Sequence, residues 1–174
     1  MRQSIEKAFP QVVTGGCLEI EVAPGFELFD NPAHPQRCFI RRNPEQDRHF
    51  LVRNPFRKPI HFLAIDKCVL NDDADTHCDC ALFDEQTFCF IEMKDAGVRT
   101  RKSHRKTAYQ QLKSTILLFR DRDVFQKTTE IEAIISFASK SGYPVRTSSS
   151  ADAALMFEIE CNAKLLEGNE KEFT

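Results

Sequence analysis

The chain has 174 residues, a formal net charge of −2 and a hydrophobic content of 41%, which are ordinary values for a globular protein of one domain. The near-neutral charge excludes a global positive field that draws the protein to nucleic acid, so any such binding requires a local basic patch. No apolar run approaches the roughly 20 residues of a membrane span, and residues 1–7 lack the apolar core of a signal peptide. We therefore expect a cytoplasmic protein whose seven scattered cysteines are reduced, buried thiols.

The first third of the chain is expected to form an antiparallel β layer. A short helix is predicted over residues 4–9, and residues 17–22 alternate apolar and acidic side chains, as a half-exposed strand does. Two further strands are predicted over residues 37–42 and 49–53, with an Asn-Pro-Glu turn between them. The arginines of this layer form either a phosphate-facing strip or a solvated strand face; they are Arg37, Arg41, Arg42, Arg48, Arg53 and Arg57.

Two short apolar segments at the centre of the chain are predicted to form a β-hairpin. They span residues 78–83 and 88–94, and the polar residues 84–87 lie between them as a turn. Apolar side chains fall on both faces of both segments, which indicates central strands covered on both sides. Residues 59–65 form an apolar strand before them, and it ends at Asp66, which is either a third acidic group near a site or a strand-end turn residue.

Three ionisable groups interrupt this apolar hairpin: Asp79, Glu92 and Lys94. Burial of a charge costs several kcal/mol unless it is compensated. A turn between the two central turn residues places Asp79 opposite Glu92, with Cβ atoms about 4.5–5.5 Å apart, and Lys94 on the same face. Facing carboxylates repel, and a bound cation is the simplest compensation. Oxygen ligands at a site open to water suit Mg²⁺ or Mn²⁺.

The pattern of Asp79, twelve intervening residues and then Glu92-Met93-Lys94 resembles the motif of the PD-(D/E)xK nuclease superfamily. The likeness extends over residues 60–138, although a cysteine precedes the aspartate where a proline is usual. The resemblance implies that Asp79 and Glu92 hold the metal ion and that the backbone carbonyl of Met93 adds a ligand. It also implies that Lys94 positions the attacking water or helps to deprotonate it.

A helix is predicted after the hairpin over residues 104–120, where apolar residues recur at three- and four-residue spacing. In several branches of the superfamily a glutamine on this helix points toward the metal site, and Gln111 matches that placement, with Gln110 as the alternative. Residues 98–106 are the densest basic run and are predicted to form a mobile loop beside the site. We expect this loop to contact a phosphate backbone, the alternative being an exposed loop without a ligand. Its cations are Arg99, Arg101, Lys102, Arg105 and Lys106.

The remaining segments complete a mixed α/β fold. Residues 129–138 are predicted to form a buried strand, parallel to its neighbour after the helical crossover. Residues 153–161 are the last predicted helix, residues 165–166 form a short strand, and the acidic residues 167–174 are expected to fray. The resemblance implies a restriction-endonuclease-like central sheet of four or five strands flanked by helices, with an extra N-terminal β layer.

These observations predict one nuclease-like domain, residues 1–174, in which a β-rich extension of residues 1–58 packs on a core of residues 59–166. The predicted function is metal-dependent hydrolysis of nucleic-acid phosphodiesters, with DNA the expected substrate and Mg²⁺ or Mn²⁺ the cofactor. The alternative is a catalytically silent binding or scaffold protein of the same fold in a DNA repair or defence assembly. If the motif is coincidental, Asp79 and Glu92 lie on different faces. No membrane partner is expected, and a homodimer is left open.

Overall fold

The chain folds into two β-sheets with helices packed against them, in a computed structural model that describes residues 1–71, 77–95, 99–137 and 151–174. The helices in these ranges are α1 (Arg2–Ala8), α2 (Gln11–Gly15), α3 (Arg101–Asp121) and α4 (Ala151–Cys161). The strands are β1 (Leu18–Glu21), β2 (Gly25–Asp30), β3 (Cys38–Ile40), β4 (Phe50–Arg53), β5 (Ile60–Ala64), β6 (Cys80–Phe83), β7 (Thr87–Lys94), β8 (Glu130–Phe137), β9 (Lys164–Glu167) and β10 (Glu170–Glu172). None of the helices in the described ranges is long and apolar enough to cross a membrane.

The central sheet is mixed and has the strand order β1-β5-β6-β7-β8-β9. Strands β1, β5, β6 and β7 pair antiparallel in turn, whereas β7, β8 and β9 pair in parallel. Helix α3 connects β7 to β8 and packs on both, and α4 packs on β9 and α3. The α/β class and the parallel crossover are confirmed. The expected number of central strands was too low, because β1 of the N-terminal third joins this sheet at its edge.

The second sheet has the order β10-β4-β2-β3 and draws its strands from both ends of the chain. Strand β2 was not predicted, although Phe26 and Leu28 alternate with polar residues as a half-buried strand requires. The expectation that residues 167–174 fray is wrong: β10 pairs in parallel with β4, and Phe173 is 3% exposed. The backbone N–H of Phe173 donates to the carbonyl of Arg53 at 3.0 Å. Strand β4 lies far from β10 in the sequence, so no local pattern predicts that these last residues pair with it.

Phenylalanine side chains fill the space between β7 and α3. The rings of Phe88 and Phe90 lie 6.0 Å and 5.3 Å from that of Phe119, which is fully buried. The ring of Phe9 packs on Phe119 at 4.7 Å. Because alternate residues of a strand share a face, the even-numbered residues of β7 continue this α3-facing side to Glu92 and Lys94.

One pair of cysteines is joined, contrary to the prediction that all are reduced thiols. Cys17 and Cys68 form a disulfide across a sequence separation of 51 residues. The cause is the pairing of β1 with β5, in which the backbone N–H of Ala64 donates to the carbonyl of Cys17 at 2.8 Å. The prediction of buried thiols is confirmed for the other five, which are Cys38, Cys78, Cys80, Cys89 and Cys161.

Candidate functional site

The hairpin of β6 and β7 has the predicted register. Phe83 pairs with Phe88 and Cys80 pairs with Ile91, so the next pair outward is that of Asp79 and Glu92. The two carboxylates, which come from opposite arms of the hairpin, therefore meet where β6 begins.

Asp79 is held by backbone groups on both sides. Its Oδ2 accepts a hydrogen bond from the backbone N–H of Met93 at 2.5 Å. Its own carbonyl accepts hydrogen bonds from the backbone N–H groups of Ile65 at 3.0 Å and Asp66 at 3.3 Å. The turn that follows β5 thus fixes the position of Asp79, and Asp66 takes part in that turn through its backbone. Met93 contacts the site through its N–H group.

Glu92 is the most deeply buried charged group of the site. Its side chain is 0% exposed, and its Oε1 forms an ion pair with the ammonium of Lys94, whose side chain is 20% exposed. Neither carboxylate oxygen of Glu92 makes a hydrogen bond of normal geometry to the described residues. Besides the ammonium of Lys94, the backbone N–H of Asp79 lies close enough to lower the pKa of Glu92. A buried carboxylate without hydrogen bonds of normal geometry is costly unless a further ligand compensates it.

The protonation of the site follows from burial and from the proximity of its charges. Burial raises the pKa of Glu92 to about 7, although Lys94 opposes this shift. Burial and the charge of Glu92 raise the pKa of Asp79 well above its usual value. Burial alone would lower the pKa of Lys94, but the neighbouring carboxylates, Glu92 foremost, outweigh it and the pKa is raised. In the metal-free protein Lys94 therefore carries a positive charge at neutral pH.

The donor set fits a hard, partly hydrated cation. In the described ranges, no group of three or more His, Cys, Asp or Glu side chains is arranged to hold a metal ion. Mg²⁺ is commonly held by one or two carboxylates and keeps several waters, so two carboxylates are sufficient. The candidate protein ligands are the carboxylate of Glu92, whose oxygens make no hydrogen bond of normal geometry to the described residues, and Oδ1 of Asp79, since its Oδ2 accepts from the N–H of Met93.

Helix α3 supports the segment that leads into Asp79. The side-chain amide of Gln111 donates to the carbonyl of His77 at 2.9 Å, two residues before Asp79. The hydroxyl of Thr115 accepts a hydrogen bond from the backbone N–H of Cys78 at 3.0 Å in a buried position. Gln111 thus lies beside the site and positions its backbone. Sequence reasoning missed the role of Thr115, although a hydroxyl on the apolar stripe of α3 was a usable signal, because buried hydroxyls are normally hydrogen-bonded.

The substitution Thr115→Val is expected to reduce the free energy of unfolding by about 1–3 kcal/mol, because it leaves the buried N–H of Cys78 without an acceptor. Valine has nearly the same shape, so packing is little changed. Urea unfolding at neutral pH measures the change. Ser114→Ala, at the exposed neighbouring position of α3, is the matched control and should change stability by less than about 0.5 kcal/mol. Equal stabilities of the two variants would contradict this role of Thr115.

The basic run lies in a different structure from the one predicted. Helix α3 begins at Arg101, so most of the expected loop forms its first two turns. The guanidinium of Arg105 donates to both carboxylate oxygens of Glu167 at 2.6 Å and 2.9 Å. Arg101 and Arg105 also lie over the ring of Phe137, at 5.3 Å and 5.5 Å from its centroid. The exposed cations of the basic run are Arg99, Lys102 and Lys106. That this run contacts nucleic acid stays a prediction.

The arginines of the N-terminal β layer are largely paired with acids. Arg41 pairs with Glu27, and Arg48 lies 3.7 Å from the same carboxylate. Arg42 pairs with Glu21 at 2.7 Å. These pairs neutralise much of the charge that a phosphate-facing strip requires, so they favour the interpretation as an ordinary strand face.

A cleft of about 410 Å³ opens beside Lys94 between the end of β7 and the second sheet. Asp30 and His49 line it together with Lys94. Burial raises the pKa of Asp30, while His49 opposes the shift. Sequence reasoning missed both residues, because Asp30 ends β2, His49 directly precedes β4, and both reach the site only through the packing of the two sheets.

The comparisons with known proteins give no relative for this chain. No protein-family model, no curated protein and no solved structure matches it. An interpretation of the function therefore depends on the residues of the site and their geometry.

Proposed function

We propose that this protein is a metal-dependent phosphodiesterase that hydrolyses nucleic acid, with DNA as its first expected substrate. The observation that carries the proposal is the state of Glu92, which is fully buried, makes no hydrogen bond of normal geometry to the described residues and lies opposite Asp79. A divalent cation would compensate the buried charge of Glu92 and remove the repulsion between the two carboxylates. Lys94 adds a positive charge at the edge of a cleft that a substrate can enter.

Asp79 and Glu92 would hold Mg²⁺ or Mn²⁺, and the backbone carbonyl of Met93 is a further candidate ligand. When bound, the ion would polarise the phosphoryl group and stabilise the charge that develops on it. Because metal binding requires deprotonated ligands, the raised pKa values of both carboxylates predict proton release on binding and tighter binding as pH rises.

Lys94 would stabilise the transition state through its charge. Its pKa is raised, so its ammonium stays protonated at neutral pH and can donate to a non-bridging phosphate oxygen or to the attacking water. The ion pair with Glu92 fixes the ammonium at the mouth of the cleft. A lysine that is held in place before substrate binds needs little reorganisation during the reaction.

We include in the proposal the restriction-endonuclease-like fold and membership of the PD-(D/E)xK superfamily. It is supported by an antiparallel hairpin with the motif, a helix that packs on that hairpin, and a following strand parallel to it. Lys102 and Lys106 lie one helical turn apart at the exposed start of α3, where they would contact the phosphate backbone.

The proposal is tested by the rate of cleavage of labelled single- and double-stranded DNA with Mg²⁺, with Mn²⁺ and with EDTA. Wild-type protein is expected to cleave only with metal, and Asp79→Asn to lower the rate by about tenfold or more, since loss of even an outer-sphere group costs 10- to 100-fold. Asp121→Asn, an exposed change at the end of α3, is the control. Binding of DNA or RNA without metal-stimulated cleavage on any form would instead support the silent binding protein.

A further inference from the structure

We infer that the cleft beside Lys94 is a subsite for one nucleotide of the substrate, in which Nε2 of His49 donates a hydrogen bond to its phosphate. This inference depends on the proposed function and extends it, because it specifies which part of the substrate the second sheet binds.

His49 is fixed to both sheets. Its Nδ1 accepts a hydrogen bond from the backbone N–H of Asp30 at 3.1 Å, so in the neutral ring the proton is on Nε2. Its backbone N–H donates to the carbonyl of Leu28 at 3.0 Å, and its own carbonyl accepts from the hydroxyl of Ser136 on β8 at 3.1 Å. Nε2 has no hydrogen-bond partner within the described residues. The ring therefore presents one preorganised donor to the cleft.

The cleft has the size and lining of a small-ligand site. Its volume of about 410 Å³ lies within the 300–1,000 Å³ that is usual for such sites. Phe29, Pro32 and Met93 give it an apolar wall suited to a base or sugar, while Lys94 and His49 supply the polar groups. Lys94 connects the cleft to the carboxylate pair that is proposed to hold the metal, because its ammonium pairs with Glu92, while neither Glu92 nor Asp79 is among the residues that line the cleft.

The charge of the rim limits how much of a polyanion the cleft can accept. Three exposed carboxylates line it, those of Glu45, Asp47 and Asp95. A continuous phosphate backbone that crosses this rim would face repulsion from each of them. A single phosphate between Lys94 and His49 meets those two donors, together with the half-buried carboxyl of Asp30, whose pKa is raised by burial. The cleft therefore suits a strand end or one displaced nucleotide, while the rest of the substrate lies on the exposed basic start of α3.

The test uses thymidine 5′-monophosphate as the probe and follows the side-chain NMR signals of His49 together with the dissociation constant, with and without Mg²⁺. His49→Asn keeps an oxygen that can accept from the N–H of Asp30 but removes the Nε2 donor, and should weaken binding by about tenfold. His49→Gln places an amide N–H near Nε2 and should weaken it by less than about threefold. His34→Asn, an exposed histidine outside the cleft lining, should have no effect.

Four outcomes are distinguishable. The subsite is supported if the nucleotide shifts the His49 signals and if binding is weakened selectively in His49→Asn, whether or not DNA is cleaved. If the protein binds the nucleotide in this way but cleaves no DNA, only the proposed function is overturned. Cleavage by wild-type protein with equal nucleotide affinity in all three variants overturns the subsite alone. Equal weakening in His49→Asn and His49→Gln, with unfolding midpoints lowered in both, overturns the donor role and assigns His49 to folding.

Discussion

Replacement of Lys94 by methionine is expected to lower Mg²⁺-dependent cleavage of DNA by about 10²–10³-fold, the usual effect of removing one preorganised donor from the transition state. Methionine keeps the length and the apolar stem of lysine, so packing at the end of β7 is retained. Glu92 loses its positive neighbour, and its pKa rises further from about 7, so it takes up a proton at neutral pH rather than remaining as an unpaired buried charge. The variant should therefore stay folded while it loses activity.

Initial rates measure the effect, and circular dichroism verifies the fold. Lys127→Met is the matched control, because Lys127 is exposed and follows α3 outside the cleft lining. The cleavage rate of Lys94→Arg should fall between those of Lys94→Met and Lys127→Met, since arginine keeps the charge but not the compact ammonium. Cleavage by Lys94→Met at the wild-type rate would remove Lys94 from the reaction.

Glu92→Gln is expected to abolish metal-dependent activity and yet to stabilise the metal-free protein at pH 8. The pKa of Glu92 rises from 4.5 to about 7 on folding, so its ionisation destabilises the folded state by about 3 kcal/mol once the pH exceeds both values. Glutamine has the same shape as the neutral acid and does not ionise. The free energy of unfolding of Glu92→Gln is therefore expected to exceed that of wild type by about this amount at pH 8, and by almost nothing at pH 4.5.

The sign of the pH dependence is a specific part of this prediction. Because the folded protein binds more protons at Glu92 than the unfolded chain does between pH 4.5 and about 7, wild-type stability falls as the pH rises through that window. Asp79, whose pKa is also raised, adds a slope of the same sign in both proteins. Urea unfolding in EDTA at several pH values measures the difference. A Glu92→Gln variant that is less stable than wild type at pH 8 would contradict the protonation assigned to this site.

Added Mg²⁺ should reverse the order of stability. A ligand at 100 times its dissociation constant stabilises the protein that binds it by about 2.7 kcal/mol. Wild-type protein should gain this stabilisation and Glu92→Gln should not. The buried acid would then be explained as a group whose cost in the free protein is offset by the ion that it binds.

The hairpin could be predicted from the sequence because local chemistry specifies it. The carboxylate of Asp84 accepts hydrogen bonds from the backbone N–H groups of Gln86 and Thr87, which closes the turn between the strands. That turn sets the register, and the register alone places Asp79 opposite Glu92.

The rest of the site could not be predicted, because it depends on contacts between distant segments. His49 and Asp30 reach the cleft only because the second sheet packs beside the end of β7. Strand β10 and the disulfide between Cys17 and Cys68 depend on pairings with no local signature. The basic run was predicted as a loop on the basis of its charge, although arginine and lysine have high helix propensity and their stems pack on the helix.

A crystal soaked in Mn²⁺, with anomalous diffraction recorded, tests the central claim most directly. We expect one anomalous peak between the carboxylates of Asp79 and Glu92, within about 2.0–2.3 Å of Oε2 of Glu92, and its loss in Glu92→Gln. A map with no peak there at saturating Mn²⁺ would contradict the account. So would a crystal structure in which both carboxylate oxygens of Glu92 accept hydrogen bonds of normal geometry from protein donors, because the buried carboxylate would then need no cation.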